Sequence, residues 1–271
     1  GEAFPWVRGY GNFLQGKKYE EQYEKISRYV LEHKDSKVLF LELGVGRMTP
    51  MFIQEPFWPP YQPLALPHPR CHRYSRRHTG RNGDPPGSLL PCSPTTMNFY
   101  DDLVMQTQMN YSKYYHIYAS GSTPYQLTDK KPLPYSEQIH RLVQEVKEAD
   151  CVVVGGVSGL SAAGGGDFYY EDNDSYRKYF RPFAEKYHFK GAFAGMMHPW
   201  ETREEYWGYL ATFLHTTQTA PVRHPYLDLD ALLKGKDFFI LTTNQDTQFV
   251  KLYPENKVAE IQGDHRFFQC A

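Results

Sequence analysis

The chain has 271 residues, 41% hydrophobic and 23% charged, with a formal net charge of −1. That is enough for one large α/β domain or two modest ones with a real core. It carries no global basic field of the kind that draws nucleic acid, and no apolar run approaches the ~20 residues that span a bilayer.

The opening residues GEAFPWVRGYGNF lack the charged-then-apolar pattern of a signal peptide, so a cytoplasmic protein is expected. Residues 17–34 read as an amphipathic helix, with Tyr23, Ile26, Tyr29, Val30 and the neighbouring Leu31 at helical spacing and charges between. Residues 37–43, KVLFLEL, read as a buried strand ending in Gly44-Val45-Gly46. Residues 59–96 break this pattern: prolines recur (Pro59, Pro60, Pro63, Pro67, Pro69, Pro85, Pro86, Pro91, Pro94), Arg and His cluster, and no hydrophobic period survives. Such a stretch is a linker, expected to be disordered, whose arginines are either solvated chain or a basic arm for RNA or phosphate; a frame-shifted stretch would look the same.

Ordered sequence is expected to resume at Met97. Ser136 is placed to cap a helix over 136–149, followed by a parallel strand at Cys151–Val154 and the glycine-rich turn GGVSGLSAAGGG. Further on, residues 201–216 read as an amphipathic helix, 226–234 as a short helix, and 237–243 and 258–261 as strands. Helix alternating with buried strand is α/β grammar. Aromatics reach 16%, with 22 Tyr, which points to a Tyr-rich core and surface or, less simply, an aromatic cleft. The cysteines Cys71, Cys92, Cys151 and Cys270 form no C-x-x-C pair, so no zinc motif is legible. Cys151 is expected to be a small buried hydrophobe.

Chemistry concentrates where strands end. Glycines after the strand at 151–154 let backbone N–H groups approach a pyrophosphate, although the spacing is not a clean G-x-G-x-x-G and a plain βα turn fits nearly as well. Ser158 and Ser161 can bind phosphate oxygens or cap the helix. Gly44 and Gly46 suit a close approach to a ribose or adenine, or a simple turn. Thr-Thr-Asn-Gln-Asp (242–246) and Glu-Ile-Gln-Gly-Asp (260–264) each follow an apolar run. There an amide can orient a carboxamide or a nucleophile, or the Asx residues can merely close a strand.

Together these motifs resemble the sirtuin family, and within it the class M, macrodomain-linked members. The resemblance rests on GGVSGLSAAGGGDF, TTNQD, LELGVGRMTPMFIQEPFW, and EIQGD where most sirtuins have a His-Gly pair. It covers 1–58 and 97–271 in reversed order: 1–58 resembles the family's C-terminal half and 97–271 its N-terminal half. The chain thus looks circularly permuted, with 59–96 joining the old ends. The resemblance implies a Rossmann-like parallel sheet with helices on both faces, built as one composite NAD-binding domain, with the small zinc-ribbon lobe reduced or absent. Only Cys270 matches the family's four zinc cysteines, which leaves zinc in doubt.

By the same resemblance Asn244 and Gln262 form the catalytic pair and Asp246 helps hold the nicotinamide. Gly155, Gly156, Ser158, Gly159, Ser161 and Gly164 take the pyrophosphate side, and Gly44, Val45 and Gly46 the adenosine side. A sirtuin deacylase needs a His as general base; Gln262 takes no proton at any relevant pH. The implied activity is therefore NAD-dependent mono-ADP-ribosyl transfer with release of nicotinamide. The expected acceptor is a protein such as a lipoylated carrier related to the glycine cleavage H protein, and a macrodomain hydrolase is the expected companion. The alternatives are a deacylase using His265, or an NAD- or ADP-ribose-binding module without catalysis.

Overall fold

The computed structural model of the chain describes residues 3–7, 14–44, 72–74, 89–91, 134–164, 167–169 and 171–270. Its centre is a four-stranded parallel sheet in the order β2-β5-β6-β7, formed by β2 (Val38–Leu43), β5 (Cys151–Gly156), β6 (Asp237–Thr242) and β7 (Val258–Glu260). The register runs straight across: Leu43 pairs with Gly156, Gly156 with Thr242, and Thr242 with Glu260. β5 has a neighbour on each side and every residue of it is buried, which is why it reads as unbroken Cys-Val-Val-Val-Gly-Gly rather than as an alternating pattern.

Alternate strand residues serve opposite faces. On one face Val38, Cys151, Val153, Phe239, Leu241 and Ala259 pack against Ile26 and Tyr29 of helix α1 (Lys17–Glu32). On the other, Leu39, Leu41, Val152, Val154, Ile240 and Val258 meet Val146 of α2 (Tyr135–Glu148), Leu160 of α3 (Ser158–Ala163), Tyr226, Leu229 and Leu233 of α7 (His224–Leu233), and Phe249 of α8 (Gln248–Leu252). Helices thus cover both faces of a parallel sheet, the expected α/β architecture, and Cys151 is fully buried in it.

A second core is almost wholly aromatic. The helices α4 (Asp174–Tyr187), α5 (Ala192–Met196) and α6 (Arg203–Thr219) enclose Phe168, Tyr176, Phe180, Phe189, Tyr209 and Phe213. Rings stack or meet edge-on, as Phe183 does with Tyr209 at 4.9 Å between centroids. Tyr169, Tyr176, Tyr179, Tyr187, Tyr206 and Tyr209 are the tyrosines that pack in this core. Asn173 and Thr202 cap α4 and α6, each side chain accepting a backbone N–H three residues on, from Tyr176 at 2.9 Å and Glu205 at 3.2 Å.

A two-stranded antiparallel ribbon completes the described residues. β1 (Ala3–Val7) pairs with β8 (Gly263–Cys270), Ala3 opposite Cys270 and Val7 opposite Gly263, with an irregularity between Pro5 and Val7. Within 59–96 the backbone of β3 (His72–Tyr74) pairs antiparallel with β4 (Leu89–Pro91). The rest of that stretch, and the sequence from Met97 to residue 133, lie outside the described residues.

Two local expectations are corrected. Pro134, not Ser136, holds the N-cap position of α2, and no side-chain cap bond is made there. Helix α6 runs to Thr219 and buries Tyr209, Leu210, Phe213, Leu214, Thr216 and Thr217, a broader arc than an amphipathic stripe, because the aromatic core and β8 both pack on it. Among the described residues no helix is long and apolar enough to cross a membrane.

Candidate active site

The aligned register places the carboxyl ends of β5, β6 and β7 side by side, where open parallel sheets present their ligands. The strand ends are tied together. Thr242 Oγ1 donates to the Gly156 carbonyl at 2.8 Å and accepts from the Asn244 N–H at 2.9 Å, while the Ile261 N–H donates to the Thr242 carbonyl at 3.1 Å. Asn244 and Gln262 therefore each stand two residues beyond a paired position, on the same end of the sheet.

Behind Asn244 lies a buried polar cluster drawn from three segments. The Asn244 Nδ2 donates to the Val157 carbonyl at 3.2 Å, to Ser161 Oγ at 3.2 Å and to the Tyr226 hydroxyl at 3.0 Å. Ser161 Oγ donates to Asp246 Oδ2 at 2.5 Å, and the Tyr226 hydroxyl lies 2.9 Å from Ser161 Oγ and 3.2 Å from the same carboxylate oxygen. The other oxygen, Oδ1, accepts the Gln248 N–H at 3.3 Å, and the Arg223 guanidinium sits 3.6 Å from Oδ2 with only 8% of its side chain exposed. Arg223 also lies over the Phe168 and Tyr169 rings, at 5.3 and 5.7 Å. Burial first, then the Asp246 charge, pushes the Tyr226 phenol well above its ordinary range, so it stays protonated.

The turn carrying Gln262 is held from two sides. Gln245 Nε2 donates to the Gln262 carbonyl at 2.8 Å. Arg266 Nη2 spans Asp264 Oδ2 at 2.6 Å, Glu260 Oε2 at 3.5 Å and Glu255 Oε1 at 3.2 Å. Burial and the neighbouring Asp264 carboxylate push the Glu260 carboxyl well above the usual carboxylate range. His265 is buried, its Nδ1 has no partner among the described residues, and burial lowers its pKa to about 4. It stacks edge-on against Phe213 at 5.2 Å. A neutral, enclosed imidazole of that kind is a poor general base at neutral pH.

Asn244, Asp246 and Ser161 are thus brought into one network, and Gln262 stands half-buried in the turn between β7 and β8. The glycines behave differently. Gly44 has φ +71°, and its backbone abuts Gly159: a Cβ on Gly44 would lie 2.5 Å from the Gly159 carbonyl carbon, and one on Gly159 would lie 2.6 Å from the Gly44 oxygen. Their peptides are joined by the Gly159 N–H donating to the Gly44 carbonyl at 3.1 Å. A Cβ on Gly156 would strike the Phe249 ring at 2.5 Å. At these positions the atoms that need the room are the protein's own. Gly155 is buried within β5, Ser158 is exposed at the start of α3, and Gly164 is half-buried beside Arg223. Val45 and Gly46 lie outside the described residues.

Tyr226 and Arg223 belong to the cluster although no motif announced them. Both come from the segment PVRHPY, where Pro225 in the first turn of α7 is the one local signal. Cys270 is exposed at the end of β8, and among the described residues no group of three or more His, Cys, Asp or Glu side chains is placed to hold a metal ion. Cys71 and Cys92 lie outside the described residues.

No family model matches the chain. Over 138 residues, 50% of this chain and 43% of the other, it is 33% identical to a protein ADP-ribosyltransferase of Staphylococcus aureus. Over 129 residues, 46% of this chain and 21% of the other, it is 30% identical to a probable bifunctional ADP-ribose hydrolase/ADP-ribosyltransferase of Fusarium oxysporum f. sp. cubense. The chain spans less than half the length of these curated relatives.

Proposed function

We propose that the chain carries a sirtuin-type site that transfers one ADP-ribosyl group from NAD to a protein acceptor, with nicotinamide as the leaving group. The observation that carries this reading is the buried Asn244–Ser161–Tyr226–Asp246 cluster at the carboxyl ends of parallel strands. The likeness to two proteins named as ADP-ribosyltransferases supports it.

NAD is the donor substrate in this reading. It supplies the ribosyl carbon whose bond to nicotinamide breaks as a bond to the acceptor nucleophile forms, and the acceptor's proton passes to solvent. The chain's residues suit such a donor at two points. Asn244 turns its amide nitrogen inward on three acceptors, which leaves Oδ1 to accept from a hydroxyl of the donor. Ser158 is exposed at the start of α3 and takes the pyrophosphate side with the loop of Gly155, Gly156, Gly159 and Gly164. Gly44, Val45 and Gly46 take the adenosine side. Asp246, bonded at both oxygens, anchors Ser161 and Tyr226 from behind the nicotinamide end.

Gln262 cannot act as a base, and the buried His265 gives no support to a deacylase. Segments 1–58 and 97–271 form one composite domain in permuted order. The in-register pairing of β2 with β5 and the pairing of β1 with β8 support that arrangement. A lipoylated carrier is the proposed acceptor, and the hydrolase half named in the fungal relative suggests a macrodomain partner that removes the mark.

The test is transfer of labelled ADP-ribose from NAD to a lipoylated carrier protein. The parent chain labels the carrier and Asn244→Ala does not. Equal labelling by both would show that the site is wrongly placed.

A further inference from the structure

The cluster contains a directional constraint that no sequence motif specifies. The Val157 carbonyl accepts hydrogen bonds and cannot donate, so the group 3.2 Å from it must be the Asn244 NH2 and not its carbonyl oxygen. The two amide protons are shared among Val157 O, Ser161 Oγ and the Tyr226 hydroxyl, and the shortest of the three contacts, 3.0 Å, is to Tyr226. Both hydroxyls in turn face a carboxylate oxygen that only accepts. The bonds therefore run one way, from the Asn244 amide through Tyr226 and Ser161 to Asp246, whose charge is balanced by Arg223 at 3.6 Å. Among the described residues no donor is bonded to Asn244 Oδ1.

We infer that Tyr226 is a positioning residue: its hydroxyl locks the Asn244 amide so that Oδ1 faces the open end of the sheet, and it acts on the reaction only through Asn244. Tyr226 is suited to this because its ring is immobile. It is fully buried and meets Phe249 edge-on at 4.8 Å, so the phenol presents its oxygen from a fixed point at little conformational cost. Ser161 cannot do this alone, since its short side chain is already drawn to Asp246 at 2.5 Å. The catalytic part of the inference rests on the proposed transfer reaction; the conformational part does not.

Tyr226→Phe removes one oxygen and keeps the packed ring. In the transfer assay kcat is expected to fall roughly tenfold, the scale of one lost orienting hydrogen bond, while the calorimetric Kd for NAD stays within about twofold, as the free amide still binds but is misaligned part of the time. In an Asn244→Ala background the same substitution should change nothing further. A second measurement needs no activity. Exchange of the Asn244 carboxamide protons with water, followed by NMR, should be slow in the parent and at least about tenfold faster in Tyr226→Phe, with backbone amides of β5 and β6 unchanged. Unchanged carboxamide exchange, or an equal loss of kcat in the Asn244→Ala background, overturns the inference. Faster exchange in a chain that never cleaves NAD upholds the lock and sinks the transferase reading instead.

Discussion

Gly44→Ala tests how the two glycine motifs meet. A Cβ at Gly44 would lie 2.1 Å from the Leu160 nitrogen, 2.5 Å from the Gly159 carbonyl carbon and 2.7 Å from the Gly159 Cα. All three are backbone atoms, so no flexible side chain can give way. The residue also holds φ at +71°, which costs an L-residue about 1–2 kcal/mol. Forcing the β2 end from the start of α3 stretches the Gly159 N–H to Gly44 carbonyl bond of 3.1 Å, worth about 1 kcal/mol, and the overpacking adds about 1–3 kcal/mol. The expected loss is about 3–6 kcal/mol, or a fall in Tm of roughly 10–15 °C for a chain of this size. Gly235→Ala is the internal standard: φ is +78° but nothing lies within 4 Å, so about 1–2 kcal/mol is expected from backbone strain alone. Urea unfolding of the two variants beside the parent gives the comparison. If Gly44→Ala costs no more than Gly235→Ala, the strand end and the glycine loop are not in contact and the site geometry is wrong.

Asp246→Ala leaves the Arg223 guanidinium buried without its counter-charge, and should destabilise by about 3–5 kcal/mol in urea unfolding; Asp246→Asn combined with Arg223→Met should cost clearly less, because no charge is then stranded. His265 gives a pH signature. Its native pKa of about 4 lies below the ordinary 6.5, so the unfolded chain binds the proton first. Its neutral form therefore contributes stability in full above pH ~6.5 and loses it as the pH falls towards 4. Between pH 7 and 4.5 the parent should lose about 2–3 kcal/mol more than His265→Leu, and parallel pH profiles for the two would mean that His265 is not buried as described.

Much of the sheet was legible because buried parallel strands have little freedom of sequence. Cys151–Gly156 and Asp237–Thr242 stand out as apolar runs flanked by helices. The aromatic lobe was less legible. Helix α4, with Arg and Lys between its tyrosines and phenylalanines, buries only Tyr176 and Phe180 fully, and its other rings pack half-exposed. β8 carries charged and aromatic residues in a half-exposed ribbon whose partner is β1 at the other end of the described chain, a pairing that no local pattern encodes. At the site, Asn244, Asp246 and Ser161 could be named from short motifs because the chain keeps them next to strand ends. Tyr226 could not, since its phenol reaches the cluster from a helix whose other buried residues are ordinary core leucines. The glycines illustrate a general ambiguity. A glycine required by a ligand and one required by a neighbouring backbone look alike in sequence, and at Gly44 and Gly159 each backbone closely approaches the other.

The most direct measurement is release of nicotinamide from NAD, followed by chromatography with the parent chain and Asn244→Ala under identical conditions. The account predicts NAD-dependent release by the parent, raised by a protein acceptor and reduced by at least about a hundredfold in the variant. Release that survives Asn244→Ala, or its absence from a parent chain that folds and binds NAD, would contradict it.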